Sequence, residues 1–288
     1  MPRYARPASI DEATKLLAEG RWQVLSGGTD FYPALGNRPL RADVLDINGI
    51  ASIAGVEETA THVVIGARTT WAALIRTPLP AAFDALKQAA CEVGSIQIQN
   101  TGTIAGNLCN ASPAADGVPA LLVIDAEVEL ASAAGRRHLP LAEFVRGNRN
   151  TALRPDELMT AVRIPRSAVS GSSSFVKLGA RRYLVISIAM AAARIRLSEE
   201  GRIAEAAIAV GACSAVAQRL GTLEQAIMGE DAATVAAVLP DERHFAGLSP
   251  IDDVRGTADY RRRAAREIVR RAIERACADA EQFGERAA

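Results

Sequence analysis

Aromatic residues are scarce, 4% of 288, and 33 Lys and Arg are offset by 33 Asp and Glu. A neutral chain with few rings has neither the basic field nor the stacking platforms of a nucleic-acid binder, and no net attraction to an anionic membrane. No apolar run is long enough to span a bilayer, and the opening Met-Pro-Arg-Tyr-Ala-Arg-Pro lacks the apolar core of a secretory signal. A cytoplasmic protein without a membrane span is therefore expected. The four cysteines, Cys91, Cys109, Cys213 and Cys277, form no C-x-x-C pair, which leaves this chain alone unable to build a zinc site or an iron–sulfur cluster. His62, His138 and His244 are equally isolated and read as surface or hydrogen-bonded residues. There is no G-x-G-x-x-G after a strand and no G-x-x-x-x-G-K-[ST], so the usual nicotinamide and nucleoside-triphosphate cradles are missing.

What is present is a large core. Hydrophobic residues make up 49% and charged residues 23%, the balance of a soluble globular protein, and the length suits two ordinary domains. Residues 9–18 read as a capped amphipathic helix, with Ser9 as N-cap and Glu12 three residues on. Residues 22–25 are short, apolar and β-prone, run into Ser26-Gly-Gly-Thr-Asp30, and precede a helix start over 31–35. Residues 44–47, 63–65, 127–130, 136–139 and 158–165 read as strands, and 69–75, 80–90 and 119–124 as helices. A serine-rich run, 167–174, is the best linker candidate, which divides the chain into units 1–168 and 172–282. Beyond it, 187–197 and 203–211 read as antiparallel strands, and apolar residues at 264, 265, 268, 269, 272, 273 and 276 mark one face of a long helix.

Two loops share a composition. Ser26-Gly-Gly-Thr-Asp30 and Thr103-Ile-Ala-Gly-Asn107 each combine a hydroxyl, small residues and a polar end. Such loops let consecutive backbone N–H groups converge on an oxygen-rich anion, because glycine permits the dihedrals and the close approach. Either loop alone can equally be a tight turn. As a pair they favour a diphosphate gripped from both sides, hence a dinucleotide on a fold other than the Rossmann type. Asp116 can accept ribose or adenine hydrogen bonds, or equally cap a helix.

At these residues the chain resembles the FAD-binding medium subunit of molybdenum hydroxylases, the xanthine dehydrogenase and aerobic carbon monoxide dehydrogenase family. The resemblance is carried by Ser26-Gly-Gly-Thr-Asp30, by Gln99-Asn-Thr-Gly-Thr-Ile-Ala-Gly-Asn-Leu-Cys-Asn-Ala-Ser-Pro-Ala-Ala-Asp116, and by 156–165 and 175–188 in the expected order. It implies an α+β architecture: a vanillyl-alcohol-oxidase-type (PCMH-type) FAD-binding fold, then a smaller domain with a short antiparallel sheet. It implies that Val24, Leu25, Ser26, Gly27, Gly28, Thr29, Asp30 and Phe31, with Thr103, Ile104, Ala105, Gly106 and Asn107, wrap a non-covalent FAD, Ile104 near its ring. Asp116 would hold the ribose or adenosine side, and Met159 and Lys177 would contact the flavin end. Ala105 departs from the Gly-Gly usual in the second loop, a methyl that either fits or slightly shifts the phosphate.

The resemblance further implies partners: a large subunit with a molybdenum cofactor and a small subunit with two [2Fe-2S] clusters, in a dimer of heterotrimers. Electrons would pass from the clusters through FAD to an external acceptor. The alternatives are a stand-alone FAD-dependent oxidase or reductase of the same fold, and a binding or assembly subunit that has lost FAD. The first is disfavoured by the lack of any paired-carboxylate or Ser-His-Asp pattern.

Overall fold

The computed structural model describes residues 1–238 and 241–287, with side-chain environments for 1–235 and 241–281. The chain opens with a short strand, Tyr4–Ala5, and the helix Ile10–Glu19. Ser9 caps that helix by accepting from the Glu12 amide at 3.2 Å, and Glu12 reaches back to accept from the Ala8 amide at 2.8 Å. The reciprocal bonds satisfy two orphan donors and fix where the helix starts. Its apolar stripe, including Ala13 and Leu17, is buried.

Two sheets follow. Tyr4–Ala5, Asp43–Asp46 and Trp22–Leu25 form a three-stranded parallel sheet with Asp43–Asp46 in the middle. An antiparallel sheet of five is ordered Val56–Glu58, His62–Gly66, Leu158–Pro165, Glu127–Ser132, Gly135–Pro140. Leu158–Pro165 is central and almost wholly buried, and its register slips between Met159 and Ala161. A bulge there twists the strand and re-aims its neighbouring side chains. The helix Ile104–Asn110 packs on Leu158–Pro165, Trp71–Arg76 packs on the helix Asp84–Glu92, and Asp84–Glu92 and Gly117–Leu122 reach the strands of the second part; Trp71 and Phe83 are among the largest fully buried side chains.

The second part of the chain is an antiparallel sheet of Ser172–Leu178, Ala189–Leu197, Ile203–Gly211 and Gln218–Arg219. The long helix Ala258–Ala287 packs against it through Ala265, Val269, Ala272, Ile273 and Ala276. The alanine run Ala189-Met-Ala-Ala-Ala193 is buried on both faces: Ala189, Ala191 and Ala193 belong to the core under that helix, while Met190 and Ala192 join the core of the first part. Small side chains there let two layers close on one thin sheet.

The serine-rich run expected as a linker, 167–174, passes from a 3-10 turn into strand at Ser172. Ser172, Ser173 and Ser174 are buried, and Ser173 Oγ donates to the carbonyls of Ala81 and Ala82 and accepts from the Ala85 amide. Serine composition alone suggested solvation; here the hydroxyls of Ser173 and Ser174 replace water with partners from the first part of the chain, Ser174 Oγ donating to Gln88 Oε1 at 3.5 Å. The remaining strands and helices expected from the pattern lie within a few residues of their places.

Candidate functional site

The strand Trp22–Leu25 ends at the first glycine loop, and the helix Phe31–Leu35 leaves it. Gly28 has φ +72°, so the left-handed turn demands glycine, and a Cβ there would also sit 2.7 Å from the exposed Tyr32 ring. Among the described residues, no protein group accepts from the backbone amides of residues 27–31. Five consecutive donors are thus free to meet a ligand.

The second loop is built differently. The Ile104 amide donates to Thr69 O at 3.0 Å, Ala105 to Ala67 O at 3.3 Å, Gly106 to Thr103 Oγ1 at 3.2 Å and Asn107 to Thr103 O at 3.1 Å. The expectation that both loops offer converging amides is corrected here. Threonine-capped geometry and a tie to the preceding segment, with Trp71 donating to Gly102 O at 3.2 Å, use up the donors of 104–107. What this loop offers the cavity is side chains and rigidity.

The loops nevertheless touch. A Cβ on Gly27 would lie 2.0 Å from Thr101 O and 3.0 Å from the Gly102 Cα, so the two backbones pass at a distance that admits no side chain. Together they line one cavity of about 490 Å³, within the range usual for small-molecule sites. Its wall brings together Val24, Ser26, Gly27, Gly28, Thr29, Asp30, Phe31, Thr103, Ala105, Gly106, Asn107 and Met159 from the expected set. It adds residues that the sequence did not single out: Ala34, Trp71, Val93, Ile98, Cys109, Asn110, Arg149, Leu153 and Glu157 among them. Four of those named, Ala34, Val93, Ile98 and Leu153, are scattered aliphatics whose spacing carries no signal beyond core.

Four expected residues stand away from this wall. Leu25 and Ile104 are buried behind the loops, 8% and 1% exposed. Asp116 and Lys177 face each other instead: Lys177 Nζ donates to Asp116 Oδ2 at 2.7 Å and to Glu92 O at 3.3 Å, while Ser187 Oγ donates to Asp116 Oδ1 at 2.6 Å. Burial pushes the Asp116 carboxyl above its ordinary range, against the opposing pull of Lys177. Asp116 stands at the N-cap position but makes no side-chain cap bond, and it does not line the cavity.

Other polar groups at the wall are fixed. Burial alone would raise Glu157, but the Arg137 fork at 2.6 and 2.8 Å and the Arg154 amide prevail and hold its carboxyl below the usual range. Burial pushes the Cys109 thiol to about 12, so it stays protonated and unreactive at neutral pH. Ser26 Oγ and Asn107 Oδ1 are buried without any partner. Buried polar atoms are nearly always paired in a complete structure, so two orphans on the wall of one cavity, beside five free amides, fit a polar ligand of that cavity. A dinucleotide such as FAD meets those donors with its phosphoryl oxygens and the apolar wall with its rings.

Known proteins agree with this geometry. The family described as "FAD binding domain in molybdopterin dehydrogenase" matches residues 1–167, and "CO dehydrogenase flavoprotein C-terminal domain" matches 174–276. The carbon monoxide dehydrogenase medium chain of Afipia carboxidovorans is 32% identical over 286 residues, 96% of this chain and 97% of that one. The nicotine 6-hydroxylase medium subunit of Paenarthrobacter nicotinovorans is 30% identical, covering 94% and 95%. Reconstituted carbon monoxide dehydrogenase from Oligotropha carboxidovorans superposes with a TM-score of 0.87 at 30% identity, over 96% of this chain and 98% of that one. With both of its parts matched in order and the glycine loops closed on one cavity, the chain belongs to the FAD-binding medium subunits of the molybdopterin dehydrogenases.

Proposed function

We propose that this chain is the FAD-carrying electron-transfer subunit of a heteromeric molybdenum hydroxylase of the cytoplasm. The observation that carries the reading is the row of five unclaimed amides at 27–31 in the same cavity as the orphaned Ser26 Oγ and Asn107 Oδ1. Successive amides in a glycine turn make a concave donor site whose partial positive charge suits a diphosphate. Bound there, FAD supplies redox chemistry, taking electrons singly and giving them up in pairs.

The chain's own residues bind, orient and exclude water. Residues 27–31 hold the phosphoryl oxygens, and Thr103, Ala105, Gly106 and Asn107 close the opposite side. Val24, Phe31, Trp71, Ile98, Leu153 and Met159 provide the apolar wall for the rings. Leu25 and Ile104 support those loops from behind. Asp116 and Lys177, joined through strand Ser172–Leu178, tie the segment behind the cavity to the second unit and so hold the wall in place. The units are residues 1–168 and 172–282.

No acid, base or nucleophile acts on an organic substrate in this reading. That chemistry belongs to a large molybdenum-cofactor subunit, with a small subunit carrying two [2Fe-2S] clusters between them, the whole a dimer of heterotrimers. The relatives support this through their names, which describe medium chains and subunits of dehydrogenases and of a hydroxylase. Among the described residues no helix is long and apolar enough to cross a membrane.

The test is direct. The purified chain, incubated with FAD and desalted, is expected to keep flavin absorption bands, and gentle purification from its source is expected to retain chains containing molybdenum and iron. Absence of flavin after reconstitution, or a flavoprotein that always runs alone, would refute the corresponding half of the reading.

A further inference from the structure

We propose that Arg149 is a cofactor-binding residue of this chain, its guanidinium supplying the counter-charge for the diphosphate; this rests on the FAD reading above. Three charged side chains line the cavity: Asp30, Glu157 and Arg149. Glu157 is already neutralised by Arg137, which leaves Asp30 as an uncompensated anion in a site meant for phosphates. Among the described residues Arg149 is the single cation on the wall and has no carboxylate partner.

Its placement is determined by the backbone. The hairpin of Val145–Gly147 and Asn150–Thr151 turns at Arg149, whose φ is +54°, an arrangement that a non-glycine residue adopts uncommonly. It is held there by its amide, which donates to Ala111 O at 2.9 Å, and Ala111 is itself left-handed at φ +47°. The guanidinium donates one bond, to Asn110 Oδ1 at 2.7 Å, and Asn110 also lines the cavity. An arginine has five N–H donors, so most of this fork remains unused. A long cation kept in an unfavourable backbone conformation, oriented by an amide at a cavity wall, is what a phosphoryl oxygen would complete.

The chain, stripped of flavin, is titrated with FAD at low and at physiological salt, with binding read from flavin fluorescence. Arg149→Gln and Arg149→Gly are both made; glycine accepts a positive φ freely, so the second variant removes the cation without disturbing the turn. Both are expected to weaken FAD about tenfold at low salt, about 1.4 kcal/mol, and to reduce the salt dependence of binding. Arg149→Lys should recover part of the affinity and all of the salt dependence, since it restores a point charge but no planar fork. A merely structural residue would change affinity without changing its response to salt. Equal FAD affinity in the parent and both neutral variants, or a loss with unaltered salt dependence, overturns the proposal. A parent that binds no FAD at all would instead fail the cofactor reading itself.

Discussion

Replacing Gly27 with alanine tests the contact that makes one site out of two loops. A Cβ there would start 2.0 Å from Thr101 O and 2.7 Å from its carbonyl carbon. Both neighbours are backbone, so no side-chain rotation relieves the clash. To reach 3.0 Å, the lower limit for such contacts, the loops must part by about 1 Å. A hydrogen bond of about 2.9 Å stretched by that amount falls outside the useful range. If two of the five free amides lose a phosphoryl oxygen, at about 1.5 kcal/mol for each charge-assisted bond, binding weakens by about 3 kcal/mol, about a hundredfold in Kd. Fluorescence titration of Gly27→Ala with FAD measures this, and a thermal melt of the flavin-free protein reads the folding cost separately. Gly221→Ala is the matched control, because nothing lies within 4 Å of that position and it opens a helix, Gly221–Ile227. If Gly27→Ala keeps FAD within about twofold of the parent, against the hundredfold above, the packed-loop argument is wrong.

Asp116→Asn removes what is, among the described residues, the only carboxylate bonded to Lys177, and leaves an ammonium in a site where both side chains are under 10% exposed. A loss of about 3 kcal/mol in urea unfolding is expected, largely recovered by adding Lys177→Met; an unchanged midpoint for the single variant would contradict it. Ser173→Ala deprives the buried Ala85 amide of its acceptor and should cost about 1–3 kcal/mol by the same assay. Asp253 is held at about 2, below its usual 3.8, chiefly by the Arg255 amide, with burial opposing and Arg261 and Arg255 side chains assisting. Its carboxylate therefore adds stability above the ordinary value, and that contribution disappears as pH falls from 3.8 toward 2. Asp253→Asn should flatten the acid limb of the stability profile over that interval; an identical limb in both proteins would refute the assignment.

The strands 158–165 and 203–211 were legible because alternating or continuous apolar runs end at proline or glycine, signals that act locally. So were Ser9 as a helix cap and the strand, glycine turn and helix around Gly28. Strand Ser172–Leu178 was not, since Ser173 buries its hydroxyl against Ala81, Ala82 and Ala85, residues about ninety positions away that no local window contains. The two glycine loops looked alike in composition, yet hydrogen bonds to Thr69 and Ala67 consume the amides of the second and leave those of the first. Arg149 carried no signal in sequence, because its significance comes from the left-handed turn and from the Asn110 beside it. Asp116 and Lys177 lay too far apart, sixty-one positions, to be read as a pair without coordinates.

The alanine strand that serves two cores also makes each interior depend on the other half of the chain. Met190, Ala192, Ala207 and Ala209 complete the apolar interior that begins near Ala13. A ribosome that has released only the first hundred and seventy or so residues has delivered a half still missing one wall. The cavity wall itself is drawn from residues 24–159, so the downstream hairpin completes the interior behind the flavin site without entering it.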